Sequence, residues 1–304
     1  MQQGIDIVII NYYSTAKIKA LLQTVNKSIA GALPLHIILV SNSAEKELEL
    51  FKHNEKVSLV INQQNLGFGH ACNQALELCK YNYLLLLNPD TLLKPNTLQS
   101  AFDFMEANAE NTVLGVKHLN ESNCVVPSCS RFPKPVYYLN DIFGLSKIKP
   151  AWFHGASLMR DWDHATSQYV DQVMGAFMFI RRDFICRYGF MDPRYFVFGE
   201  DLDFCKKVWL SGGKVFYNAD IEIIHEGANS TEGISHIKLC YATEGKLKYA
   251  NKYFSSTWYY IILFAVLVIE PFTRICFSLA GAKFKQVAET IKGYKMLYSR
   301  KQFK

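Results

Sequence analysis

Five short apolar runs recur over residues 1–117: Ile5–Ile10, His36–Val40, Val57–Asn62, Tyr83–Leu87 and Thr112–Lys117. The first is β-branched and apolar apart from Asp6. Runs of this kind belong to strands covered on both faces rather than to strands with one wet side. Stretches with helical spacing lie between them, at about Ala16–Ile29, His70–Cys79 and Pro95–Ala107, with Pro95 suited to a first helical turn. Strands alternating with helices specify an α/β chain, a mainly parallel, Rossmann-like sheet flanked by helices. Such a sheet binds ligands outside the carboxyl ends of its strands. Asn11, Ser41-Asn42 and Asn88-Pro89-Asp90 all fall at such ends.

Beyond residue 117 the pattern is less regular. Residues 118–170 hold prolines and aromatics and read as loops that shape an acceptor site. Val173–Ile180 resumes as a strand, Asp183–Tyr188 and Glu200–Leu210 as helices, and Val215–Tyr217 and Ile221–Ile224 as two short strands. Ile237–Tyr253 reads as an amphipathic helix. Trp258–Ile269 is then uninterrupted apolar sequence, broken at Glu270-Pro271 and continued by Phe272–Ala282 with Arg274 inside. A glutamate, a proline and an arginine suit a bilayer centre poorly, so a helix pair lying in the membrane interface fits better than one spanning helix; burial in a homodimer interface is the alternative.

Charge supports a surface role for that end. Residues 283–304 carry Lys283, Lys285, Lys292, Lys295, Arg300, Lys301 and Lys304 against Glu289 alone, a net +6 that equals the formal charge of the whole 304-residue chain. An anionic membrane surface is the expected partner, and nucleic acid is not, because stacking aromatics do not alternate with the basic residues. The eight cysteines form no C-x-x-C pair, which points to a reducing compartment without a zinc site. Met1-Gln2-Gln3-Gly4 lacks a basic n-region, so the catalytic part is expected in the cytosol.

Three places carry candidate chemistry. Asn88-Pro89-Asp90 ends an apolar strand and can offer a metal-ligand carboxylate, although these residues are also ordinary turn formers. Glu200-Asp201-Leu202-Asp203 follows Gly199 and can offer a general base, although acids also favour helix N-termini. His225 ends the run Ile221–Ile224, where a lone histidine is more often structural. Asn65-Leu66-Gly67-Phe68-Gly69 matches no phosphate-loop fingerprint, yet its amides lead into a helix and can face a ligand.

Taken together and in order, these stretches resemble the inverting family 2 glycosyltransferases of the GT-A fold, in the rhamnosyltransferase-like branch that builds bacterial surface polysaccharides. The stretches are Val8–Ser14, Asn65–Gly69 with Asn73, Leu87–Asp90, Gly175-Ala176 with Arg181-Arg182, Gly189–Asp192 with Tyr195-Phe196, Phe198–Asp203, and Ile224-His225 through Ser230. The resemblance implies a GT-A domain over residues 1–235, with a nucleotide-binding half of about 1–117 and an acceptor-binding half of about 118–235. A membrane-associating or oligomerising helical segment would follow over 236–304. It implies Mg2+ or Mn2+ bound by Asp90 and His225, Asp201 as base beside Glu200, and a donor site bordered by Asn11, Tyr12, Ser14, Ser41, Asn42, Asn65, Gly67, Asn73, Asn88 and Asp90. Gly175 and Asp192 would border the acceptor. The implied partners are a nucleotide-diphosphate sugar (dTDP-rhamnose ahead of a UDP-hexose) and a lipid-linked glycan at the inner face of the cell membrane. Three positions depart from the family pattern: Ser41 stands for an aspartate, Gln172 for an aromatic and Met191 for a phenylalanine. The rival readings are a non-catalytic sugar-nucleotide-binding scaffold and a nucleotidyltransferase. A nicotinamide oxidoreductase would need a glycine fingerprint that Asn11-Tyr12-Tyr13-Ser14 does not supply.

Overall fold

The computed structural model describes residues 2–29, 33–149, 152–156, 158–229 and 235–300. Ser230, Lys301 and Lys304 lie outside the described residues. In chain order the elements are β1 (Gln2–Asn11), α1 (Thr15–Val25), β2 (Leu35–Ser41), β3 (Val57–Ile61), α2 (Phe68–Ala75), β4 (Tyr81–Leu87), β5 (Thr91–Leu93), α3 (Thr97–Ala107) and β6 (Val113–Leu119). Then come β7 (Val125–Val126), β8 (Cys129–Ser130), α4 (Pro135–Ile142), α5 (Leu145–Ile148), β9 (Gln168–Tyr169), β10 (Gln172–Val173), β11 (Phe177–Arg181), α6 (Arg182–Tyr188), α7 (Glu200–Leu210) and β12 (Val215–His225). The chain closes with α8 (His236–Tyr253), α9 (Ser256–Phe264), α10 (Glu270–Ala280) and α11 (Phe284–Ser299). They group into two compact units: residues 1–130, 158–193 and 201–229, and residues 131–157, 194–200 and 230–304.

The first unit is built on a sheet of order β3-β2-β1-β4-β11-β6-β12-β5. Pairings β3–β2, β2–β1, β1–β4 and β6–β12 are parallel. Strand β11 runs antiparallel between β4 and β6. The apolar runs are buried on both faces as their composition requires: Ile5, Ile7, Val8, Ile9 and Leu84–Leu86 have no exposed surface. The polar residue inside the first run has an equally buried place. Asp6 pairs through Oδ1 with His36 Nδ1 at 3.0 Å, and its Oδ2 accepts the backbone N–H groups of Lys80 and Tyr81 at 2.8 and 2.7 Å.

Several element limits differ from the sequence reading. Val173–Ile180 is not one strand, because a turn at Gly175-Ala176 separates β10 from β11. Residues 215–217 and 221–224 are one strand, β12, whose register shift between Asn218 and Glu222 absorbs the polar residues between them. Pro95 lies before α3, since Asn96 takes a left-handed φ of 61° at the helix entrance.

In the second unit Glu270-Pro271 does not break the helix. Residues Ser256–Ala280 form a single 25-residue helix, with a π-helical turn at Ala265–Ile269 joining α9 to α10. Proline removes one N–H and crowds the carbonyl four residues back. The π turn lets Glu270 N bond Ala265 O, and the Leu267 carbonyl accepts the Tyr298 hydroxyl instead. Glu270 is only 2% exposed. Burial alone would raise its carboxyl, but Lys246 and Arg274 at 2.9 and 2.7 Å hold it below the usual glutamate range. Leu239, Cys240, Tyr294 and Leu297 form the core between α8 and α11.

Candidate active site

Asp90 and His225 meet because two strand ends are paired. The short strand β5, not foreseen from the sequence, runs antiparallel to the end of β12 with His225 opposite Thr91. Glu226 N donates to Asp90 O at 3.0 Å, locking the turn to the strand. His225 Nε2 then lies 3.4 Å from Asp90 Oδ1. Burial opposes ionisation of Asp90, but the hydrogen bond and charge of His225, with Lys17, hold its carboxyl below the ordinary range. A Cβ at Gly227 would lie 2.2 Å from Asp90 Oδ2, so only glycine leaves that oxygen its place. Behind His225 sits His118, edge-on at 5.4 Å between ring centroids and pushed down to about 3 by burial, hence neutral. His118 is a residue that sequence reasoning missed; a single histidine inside a strand gives no signal.

The second cluster centres on Asp201 in the first turn of α7. Gly175 N donates to its Oδ2 at 3.3 Å and Leu202 N to its Oδ1 at 2.8 Å. The Gln172 side chain also hydrogen-bonds this carboxylate, which makes one of the departures from the family pattern a direct partner of the candidate base. Burial dominates over these bonds and raises the Asp201 carboxyl above the ordinary aspartate range. A Cβ at Gly175 would stand 3.7 Å from the Asp201 Cβ and 3.6 Å from Leu86. Asn88 N donates to Ala176 O at 3.0 Å. The turn that carries Asp90 and the turn that holds Asp201 are thus stitched together. Glu200 is buried as the first residue of α7. Asp192 is half-buried beyond α6.

A third cluster closes the ends of β1 and β2. Asn11, fully buried, donates from Nδ2 to Ser41 Oγ at 2.9 Å and Glu45 Oε2 at 2.8 Å, and its Oδ1 accepts Ser14 N at 2.9 Å. Tyr12 and Tyr13 stand exposed beside it, Tyr13 at a left-handed φ of 52°. Burial opposes ionisation of Glu45, but hydrogen bonds from Asn11, Thr15 and Ser43 hold its carboxyl below the usual range. Glu45 was missed from the sequence, where attention fell on Ser41; the structure brings an acid from four residues later to the same strand end. Asn42 donates to Gly67 O at 3.1 Å and accepts from Asn62, while Asn65 Oδ1 accepts Gly67 N at 2.9 Å. Both amide ends of Asn73 are spent on the Met191 backbone, at 2.8 and 3.0 Å, so in this structure Asn73 positions the 189–192 turn.

The carboxyl edge of the sheet thus gathers a polar rim, a carboxylate–imidazole pair and a buried carboxylate. The model of glycosyl transferase family 2 matches residues 6–166, and the chain belongs to that family. Rhamnosyltransferase WbbL of Escherichia coli (strain K12) is 28% identical over 169 residues, 52% of this chain and 60% of that protein, so the match spans less than two thirds of that relative. An N-acetylglucosaminyl-diphospho-decaprenol L-rhamnosyltransferase of Mycobacterium tuberculosis (strain CDC 1551 / Oshkosh) is 21% identical over 218 residues, 67% of this chain and 70% of that one. Among solved structures, a mannosyltransferase of Pyrobaculum calidifontis in complex with GDP-Man and Mn2+ superposes with a TM-score of 0.56 at 14% identity, covering 100% of this chain and 82% of that one. The fold is shared at that level, and the protein is a family 2 glycosyltransferase of the GT-A class, similar to the two rhamnosyltransferases over the stretches they match.

Proposed function

We propose that the protein is a metal-dependent inverting glycosyltransferase. It moves a sugar, rhamnose before galactose or glucose, from a nucleotide-diphosphate donor to a hydroxyl of a lipid-linked glycan in O-antigen, capsule or related surface-polysaccharide synthesis. The observation that carries this reading is the Asn88–Ala176 hydrogen bond, which ties the Asp90–His225 pair to the Asp201 cluster at one sheet edge. The two relatives support rhamnose, and the carrier in the mycobacterial relative's name supports a polyprenyl-diphosphate acceptor. On this reading the enzyme works at the cytoplasmic face of the cell membrane, where an acceptor of that class would be held.

Asp90 and His225 suit a divalent cation: the Asp90 carboxylate and His225 Nε2, 3.4 Å apart, face a cradle that a Cβ at residue 227 would fill, at 2.2 Å from Asp90 Oδ2 and 3.8 Å from His225 Nε2. A bound Mg2+ or Mn2+ would take its other ligands from the donor diphosphate and water and offset the charge of the leaving group. Asp201, oriented by Gly175, Leu202 and Gln172, accepts the proton of the acceptor hydroxyl. That oxygen bonds to the anomeric carbon from the side opposite the diphosphate, the carbon–phosphate-oxygen bond breaks, and configuration inverts. Asn11, Tyr12, Ser14, Ser41 and Asn42 line the nucleotide end, and Glu45 supplies there the carboxylate that Ser41 lacks.

The test is a panel of sugar nucleotides with Mn2+ or Mg2+, read by thermal stabilisation and by nucleoside-diphosphate release. dTDP-rhamnose is expected to stabilise most; stabilisation by no donor with either metal defeats the reading. Gly227→Ala pushes a methyl onto Asp90 Oδ2 and is expected to weaken apparent Mn2+ affinity about ten- to a hundred-fold. An unchanged Mn2+ titration would remove Asp90 from the metal. Glu45→Gln keeps the Asn11 hydrogen bond but loses the charge; donor KM is expected to rise about ten-fold with kcat little changed, and a fall in kcat alone would argue against a role at the nucleotide.

A further inference from the structure

Part of the second unit has a surface that the chemistry above does not use. Along the 25-residue helix, Ile262, Ala265, Val266, Glu270 and Ser278 face inward. Tyr260, Ile261, Phe264, Val268, Phe272 and Leu279, on the other side, are exposed, Phe264 by 60% and Phe272 by 68%. An exposed apolar face of this kind marks a site of interaction.

The segment after α4 packs against the same helix at Thr273 and Phe277. Thr273 Oγ1 donates to Ile142 O at 2.6 Å, and a Cβ at Gly144 would run into the Phe277 ring at 2.2 Å. Lys147 Nζ lies 5.5 Å from the centre of that ring. One helical turn on, Ile148 is exposed, and Trp152 is 78% exposed with Lys149 Nζ 5.4 Å from its ring. Residues 142–157 and 254–288 together hold Lys147, Lys149, Arg274, Lys283 and Lys285 against one acid, the buried Glu270. Asp141 lies beside them, bonded to Ser146 Oγ and Ala156 N, yet the basic groups remain in excess, and lysine ammonium groups held over aromatic rings fit a sheet of anionic headgroups. A two-fold contact with a second copy would set this patch against itself and bring like charges together.

The helix is long and apolar enough to cross a bilayer by length and composition. Its packing argues for lying flat. α9 rests on α4 and α8, the π turn on α4, and α10 on α11, so one side is docked along the whole length. Crossing would carry those helices and the Lys246–Glu270–Arg274 cluster into hydrocarbon.

We propose that this face seats the second unit on an anionic bilayer, with the α9–α10 helix in the plane of the interface and Ile148 and Trp152 as a second anchor beside it. The proposal rests on the membrane-bound acceptor of the reading above for its choice of a bilayer, and it assigns the 142–152 region to lipid rather than to the acceptor sugar.

The experiment is flotation of the full chain with phosphatidylcholine vesicles, with and without phosphatidylglycerol. Wild type is expected to float with the anionic vesicles and to be released by high salt or by alkaline carbonate. Ile148→Ser/Trp152→Ser is expected to lower the partition coefficient about ten-fold, and Phe264→Ser/Phe272→Ser at least as much. All four side chains are exposed, so thermal unfolding should be unchanged. Wild-type partition of the first variant overturns the second anchor, and retention after carbonate overturns the in-plane helix. Failure of the wild type to float, with a dimer in solution that Phe264→Ser/Phe272→Ser dissociates, assigns the face to a second copy and overturns the proposal. Diphosphate release from the donor without lipid reports on the transferase reading separately.

Discussion

Asp201→Asn is expected to cut sugar transfer by about a hundred- to ten-thousand-fold while leaving donor affinity within a few-fold of wild type. The amide keeps the shape, and its carbonyl can still accept from Gly175 N, so the turn beside Leu86 stays in place. What is lost is a site for the hydroxyl proton. A variant that still transfers at near wild-type rate would remove Asp201 from the base role. The pH profile adds a second reading of the same group. Burial raises the Asp201 carboxyl, and the base form is present only above its own pKa, so the acid limb of kcat should lie above the ordinary aspartate range. The Gln172 hydrogen bond favours the charged form. Gln172→Leu removes it and should move that limb to still higher pH, whereas a limb that stays where it is in wild type would mean another group controls it.

Asp6→Ala is expected to destabilise the protein by about 3–5 kcal/mol in urea or thermal unfolding. Three groups lose their partner together: the His36 imidazole and the N–H groups of Lys80 and Tyr81, all at the buried meeting of β1, β2 and β4. An unpaired buried donor costs about 1–3 kcal/mol. The damage reaches function because β1 and β4 end in Asn11 and in the Asn88–Asp90 turn. The double variant Asp6→Ala/His36→Ala should recover part of the loss, since it no longer leaves the imidazole facing an empty site. A single-variant loss below about 1 kcal/mol would show that water or a backbone shift replaces the carboxylate.

Residue order alone determined the α/β class, the strands at Ile5–Ile10, His36–Val40 and Tyr83–Leu87, and the strand ends where polar residues gather. The reason is physical: a strand buried on both faces needs an almost purely apolar run, and such runs are visible without coordinates. The same logic explains what was not visible. β5 has three residues and no periodicity to read, yet its pairing with β12 puts His225 against Asp90. Glu45 reaches the Asn11 cluster through a loop whose path is set by the strands on either side, and Gln172 meets Asp201 only because the chain turns at Gly175. Glu270-Pro271 reads as a break because proline removes a donor. The tertiary structure decided otherwise, supplying Lys246 and Arg274 to the carboxylate and the Tyr298 hydroxyl to the Leu267 carbonyl. Local patterns specify which faces must be buried; which polar groups then find one another depends on strands and helices far apart in the chain.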